Sequence, residues 1–265
     1  MIFIGERING SFKDIGQAIK ERAKEPVQDW AKKQAERGAR YLDVNMGAAS
    51  RNPEDSVWLL QTVQETVPTP ISIDSTNLEV IKASLKATDG RPVLINSTTA
   101  EEKKLEKFVS LAAEYNTSLM GVAMDERGSP PDADRRVENG ARIFAAATEG
   151  GLSPEQIFLD PILMPLKFMQ NQAKSVLESI EQYTMFSDPP PHISVGLSNL
   201  GSKASEKKLI NRIFLVMAIA KGLDAAICDV MDEDLLNAVA TAELILDKEI
   251  YSDSYLKVFW SQQTL

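Results

Sequence analysis

Eight short apolar runs punctuate the chain, and each stops against polar residues. They are Ile2-Phe3-Ile4 before Gly5-Glu6, Tyr41-Leu42-Asp43-Val44 before Asn45, Ile71-Ser72-Ile73 before Asp74, and Val93-Leu94-Ile95 before Asn96. The others are Leu119-Met120-Gly121-Val122-Ala123-Met124, Ile157-Phe158-Leu159 before Asp160, Ile193-Ser194-Val195-Gly196-Leu197-Ser198-Asn199, and Ala225-Ala226-Ile227-Cys228 before Asp229. Runs that are continuously apolar rather than alternating suit parallel strands covered on both faces. The intervals between them read as helices. Val27, Trp30, Ala31 and Ala35 fall on one face of 26–37, which stops at Gly38, and Asn77 stands before Val80, Ile81 and Leu85 at helical spacing. After Asn96, Thr98 with Glu101 and Thr99 with Glu102 offer capping boxes to a helix carrying Leu105, Phe108, Val109 and Ala112. Further helices are predicted over 53–66, 134–148, 170–186, 206–221 and 232–246.

Eight strands, each followed by a helix, in about 250 residues predict a (β/α)8 TIM barrel. A doubly wound sheet is the alternative, with less reason to repeat the unit eight times. No low-complexity linker interrupts the 265 residues, so 1–265 is expected to form a single domain. Pro189-Pro190-Pro191 reads as the loop entering the seventh strand.

Composition narrows the function. A net charge of −9 argues against nucleic acid as partner. The N-terminus lacks a basic leader, and the apolar stretch 213–220 is far shorter than the ~20 residues a membrane span needs, so neither export nor a membrane is expected. One cysteine, Cys228, excludes an internal disulfide and suits a reducing cytoplasm; it is expected to be a buried small residue below the mouth. With one histidine, His192, no Cys/His zinc cluster can be assembled, and no metal is expected.

In a barrel the residues ending the strands converge at the C-terminal mouth, where chemistry is done. Here they are Glu6, Asp43, Asn45, Asp74, Asn96, Asp160, Asn199 and Asp229. Each could instead cap a helix or hold a loop amide, a common duty of Asn and Asp. Carboxylates and carboxamides would repel a phosphorylated substrate, which calls for backbone amides, Lys and Arg. They do suit a flat heterocycle presenting an amine and a ring N–H beside a carbonyl, because a carboxylate accepts both hydrogens and an Asn amide completes the pattern. The 2-amino-4-oxo edge of a pterin has that layout.

Gly5-Glu6-Arg7-Ile8-Asn9-Gly10, Asp43-Val44-Asn45, Asp74-Ser75-Thr76-Asn77, Ile95-Asn96-Ser97, Asp160-Pro161, Gly196-Leu197-Ser198-Asn199 and Ile210-Asn211-Arg212 occur in that order. Together they resemble the pterin-binding methyltransferase family, and closely the methyltetrahydrofolate:corrinoid protein methyltransferases, over nearly the whole chain. The resemblance implies that Asp74, Asn96 and Asp160 hold the pterin edge of tetrahydrofolate or methyltetrahydrofolate. It places Asn199 near N5, the methyl-bearing nitrogen, with Gly196 and Ser198 shaping the pocket beside it. The loop 201–208, with Ser202 and Lys207, is expected to touch the substrate. An arginine is expected near position 207; Lys207 keeps the charge and loses the bidentate fork.

The resemblance also implies a corrinoid, cobalamin or a relative, as the second substrate. The Asp-x-His-x-x-Gly cobalamin signature fails at His192, since Pro190 stands where Asp is needed and Gly196 falls one residue late. The cobalt is therefore expected on a partner corrinoid protein, and His192 is expected to be a strand-start residue. The family is homodimeric, and 255–260 could pack on a second subunit or close the barrel. Dihydropteroate synthase, which shares the pterin half of such a site, is the alternative activity; its pyrophosphate-bearing substrate calls for basic residues where this chain has Ser198 and Asn199.

Overall fold

The structure is a computed structural model that describes residues 1–263. Its strands are β1 (Ile2–Gly5), β2 (Tyr41–Val44), β3 (Ile71–Asp74), β4 (Val93–Thr99), β5 (Ser118–Val122), β6 (Ile157–Asp160), β7 (His192–Ile193) and β8 (Ala225–Cys228). The helices are α1 (Lys13–Glu21), α2 (Lys24–Glu36), α3 (Pro53–Gln64), α4 (Leu78–Lys86), α5 (Glu102–Glu114), α6 (Ala133–Glu149), α7 (Gln172–Tyr183), α8 (Leu197–Leu200), α9 (Lys207–Ala220), α10 (Glu233–Ile245) and α11 (Tyr255–Gln263).

All strand pairs are parallel, in the order β7-β6-β5-β4-β3-β2-β1-β8. The ring closes between β7 and β8. There the Asp224 N–H donates to Ile193 O at 3.3 Å and the Ile227 N–H to Val195 O at 2.9 Å. The Asp224 carboxylate reinforces this seam, accepting the Ile193 N–H at 2.8 Å and meeting His192 Nδ1 at 2.6 Å. His192 thus begins its strand at the floor of the barrel, as expected. The barrel lumen is filled by Ile4, Leu94, Met120, Phe158 and Ala225, and a larger apolar layer joins the strands to the surrounding helices. Burial on both faces is why these strands carry no alternation.

Helix starts follow their caps. Asn52 accepts the Glu54 N–H at 3.2 Å and Asn77 the Glu79 N–H at 3.0 Å, so α3 and α4 begin where the sequence predicts. Three local expectations fail. β4 does not stop at Asn96: it runs on to Thr99, pairing Thr98 with Gly121 and Thr99 with Val122, and Ser97 is an extra residue at a register shift. Thr98 and Thr99 are therefore ladder residues, and α5 starts at Glu102 without a side-chain cap. The segment between β1 and β2 holds two helices, α1 and α2, rather than one. The seventh strand ends at Ile193, and 197–200 becomes the helical turn α8. That turn puts Leu197 and Leu200 on one buried face and turns Asn199 to the surface. The C-terminal helix α11 lies on α10 of the same chain, where Trp260 Nε1 donates to Asn237 Oδ1 at 2.9 Å.

Candidate active site

The C-terminal ends of β2, β3 and β4 are stitched together by polar side chains. Asp43, 2% exposed, accepts the Ser72 hydroxyl at 2.6 Å and the Asn96 amide N–H at 3.1 Å on one oxygen. The Asn45 amide donates to Asp74, and the Asn45 carbonyl accepts the Gly47 N–H at 2.5 Å. Asp74 and Asn96 are register partners on adjacent strands, so their side chains emerge at one level. Burial raises the pKa of both Asp43 and Asp74, and at Asp43, lifted well above its ordinary value, the neighbouring Asp74 charge adds to the effect.

Asp160 ends β6 and is 8% exposed. Its Oδ1 accepts the Ile162 N–H at 2.7 Å, and the Gly196 N–H also donates to the carboxylate. Burial nonetheless pushes its pKa up to about 6. The backbone around it is held from α6: Arg136, fully buried, donates Nε–H to Pro161 O at 2.9 Å. Asn139 donates to Ala123 O at 3.2 Å, and the Ala123 N–H in turn donates to Asp160 O at 2.8 Å. These contacts over-determine the carboxylate position while Ile162 takes φ 60°.

Asn199 is exposed on α8, its N–H donating to Gly196 O at 3.1 Å. Gly196 is the link between Asp160 and Asn199. A Cβ at Gly196 would lie 2.9 Å from Asn199 Nδ2, so the missing side chain is what lets that amide fold back over the strand end. Gly196 has φ −77°, a conformation any residue adopts, and the need is therefore for space. Gly196→Ala should accordingly leave the barrel folded, yet lower turnover by about 10–100-fold by displacing the amide. Steady-state kcat beside a thermal melt checks this; unchanged kcat would show that the position of Asn199 is unimportant.

Ser198 and Lys207 belong to an adjoining crevice. The Ser198 hydroxyl donates to Glu6 Oε1 at 2.7 Å. Burial raises the Glu6 pKa, against the opposing pull of Ser198 and Lys207. Together with Arg7, Phe12, Trp30 and Asp229 these residues line a cavity of about 250 Å³. A second cavity, of about 440 Å³, opens beside Asp74, Asn45 and Asn77. Ser202 is half-buried and its N–H donates to Asn199 O at 3.1 Å. Asp229 accepts the Met231 N–H at 3.0 Å and is exposed, so this strand-end carboxylate serves its own loop. Cys228 is buried, as expected, its thiol pKa raised by burial.

Asp43 and Glu6 are expected at the mouth, but neither the raised pKa of Asp43 nor the bond of Glu6 to Ser198 is legible in the sequence. Arg136 was not legible at all. It stands among Asp132, Asp134, Arg135 and Glu138, a run that reads as a solvated helix face.

Buried carboxylates and carboxamides thus end several strands of a closed parallel barrel. Residues 9–229 match the family described as pterin binding enzyme, and the chain belongs to that family. It is 31% identical over 265 residues to the methylcorrinoid:tetrahydrofolate methyltransferase of Eubacterium limosum, covering 98% of this chain and 96% of that protein. It is 29% identical over 240 residues to the methionine synthase of Mycobacterium leprae, 86% of this chain but 20% of that longer protein. The fold matches dihydropteroate synthase structures. That from Coxiella burnetii, in complex with pteroic acid, has a TM-score of 0.64 at 12% identity over 92% of this chain and 93% of its own. That from Thermus thermophilus has a TM-score of 0.58 at 16% identity, covering 94% of each chain.

Proposed function

We propose that this chain moves a methyl group between N5 of tetrahydrofolate and the cobalt of a corrinoid carried by a separate protein. The supporting observation is the arrangement of Asp160, Gly196 and Asn199: one glycine donates its N–H to a buried acceptor and makes room for an exposed amide. Asp74 and Asp160 accept the amino and ring N–H hydrogens of the pterin, and Asn96, its N–H engaged by Asp43, supplies the complementary amide edge. Asn199 reaches N5. Ser198, Ser202 and Lys207 flank the rest of the folate.

A tertiary amine is a poor leaving group. As cobalt(I) forms its bond to the methyl carbon and N5 is displaced, the carbon–nitrogen electron pair returns to N5, which must gain a proton or a strong donor. Asn199 supplies the donor, and the proton comes from solvent or a nearby carboxyl. The same groups serve the reverse transfer, so they set no direction.

The expected homodimer is supported by Leu209, Ile213 and Met217, exposed at four-residue intervals on α9. Among the described residues no helix is long and apolar enough to cross a membrane. A cytoplasmic location and a single domain over 1–265 complete the proposal. The test mixes the protein with methyltetrahydrofolate and cob(I)alamin, free and on a corrinoid protein, and follows the cobalt spectrum. Methyl transfer is expected, with no pteroate formed from p-aminobenzoate and a pterin pyrophosphate. Pteroate formation without methyl transfer would assign the barrel to dihydropteroate synthesis instead.

A further inference from the structure

The rim next to Asn199 differs in charge and texture from the rest of the molecule. Segments 161–171 and 201–208 carry Lys167, Lys203, Lys207 and Lys208 against one carboxylate of their own, Glu206; Lys208 pairs with Asp232 at 3.6 Å and Lys207 faces Glu6, whereas Lys167 and Lys203 form no ion pair among the described residues. At the tip of the first segment Phe168 is 63% exposed and Met169 36%. Single exposed apolar residues are ordinary, but an adjacent pair on a lysine-rich loop tip contributes nothing to the core.

The two segments are held as one surface. The Leu166 N–H donates to Leu200 O at 2.9 Å, Lys167 Nζ donates to Lys203 O at 3.2 Å, and Lys203 Nζ stands 5.8 Å from the centre of the Phe168 ring. Leu200 directly follows Asn199 in the chain. The tie therefore fixes the loop tip relative to the amide proposed to meet N5.

We infer that Phe168, Met169, Lys167 and Lys203 form the docking surface for the protein that carries the corrinoid, which must present an acidic face with an apolar centre. This rests on the methyl transfer proposed above. A methyl acceptor held by another protein has to bring its reacting atom to Asn199, so that protein must cover the loops flanking it. The lysines steer an oppositely charged partner at long range, and Phe168 and Met169 supply the desolvated anchor that long-range charge cannot.

The test uses Phe168→Glu and Lys167→Glu, with the corrinoid protein that exchanges methyl with the wild-type chain and with free cob(I)alamin as acceptors. Each variant should raise KM for the corrinoid protein about tenfold or more. Transfer to free cob(I)alamin and the folate titration should stay within about twofold, which also shows that the barrel is folded. An unchanged KM for the corrinoid protein, or an equal loss with both acceptors, overturns the docking surface. A wild-type chain that transfers methyl to neither acceptor overturns the methyltransferase function itself, and this surface with it.

Discussion

Asn199→Ala should lower the single-turnover rate of methyl transfer by about a hundredfold to a thousandfold, roughly 2.7–4 kcal/mol of transition-state stabilisation, in both directions. In the ground state N5 is a neutral amine that asks little of its surroundings. Its electron density changes most as the methyl group leaves or arrives, and a donor already in place is then worth far more than water that must reorient. The fold supplies that preorganisation cheaply: Leu197 and Leu200 anchor α8 in the core, while Gly196 leaves the space the amide occupies. Folate affinity, measured by direct titration, should change much less than the rate, because the pterin edge is held by other residues. A variant that binds folate a thousandfold more weakly and yet transfers methyl at the normal rate when saturated would make Asn199 a binding residue only.

Asp160→Asn should separate binding from stability. A carboxylate accepts two hydrogens from the pterin edge, whereas an amide turns one acceptor into a donor facing donors. A charge-assisted hydrogen bond contributes roughly 1.5–3 kcal/mol, so folate binding should weaken on the order of tenfold to a hundredfold or more. Stability should move the other way. Burial pushes the carboxyl pKa up to about 6 in the folded protein, against about 3.9 unfolded, so its contribution is fully present below about pH 4 and lost as pH rises through 6. Keeping the buried charge above that range costs on the order of 3 kcal/mol, which the neutral amide avoids. Denaturant melts should show the variant more stable at pH 8 and the difference shrinking toward pH 4. Wild-type folate binding should weaken as pH falls through 6. Equal stability at both pH values would mean that the carboxyl is not strained by burial.

Much of this architecture was legible along the chain because the signals are local. Apolar runs located all eight strands, though β4 runs past Asn96 and β7 stops short of Asn199, and Asn52 and Asn77 act as caps through bonds to amides two residues on. The mouth candidates could be named for the same reason, since a residue at the end of a barrel strand has only the mouth or its own loop to serve; which of them meet the pterin edge is implied only by the family resemblance. Asp229 took the loop.

What the chain alone determines is which residues reach the mouth and what chemistry they bring: carboxylates, carboxamides, and one amide near a glycine. The tertiary structure decides how they are used. The extension of β4 through Thr99 depends on Gly121 and Val122 of the neighbouring strand, a pairing that no local pattern announces. The raised pKa of Asp43 exists because folding buries it and brings Asp74, 31 positions away, beside it. Arg136 becomes a buried brace only when α6 packs against the end of β6, and the rim lysines form one surface only once two loops meet. Residue identity and periodicity act over a few positions, whereas pKa, burial and shared hydrogen bonds depend on distances that only the closed barrel sets.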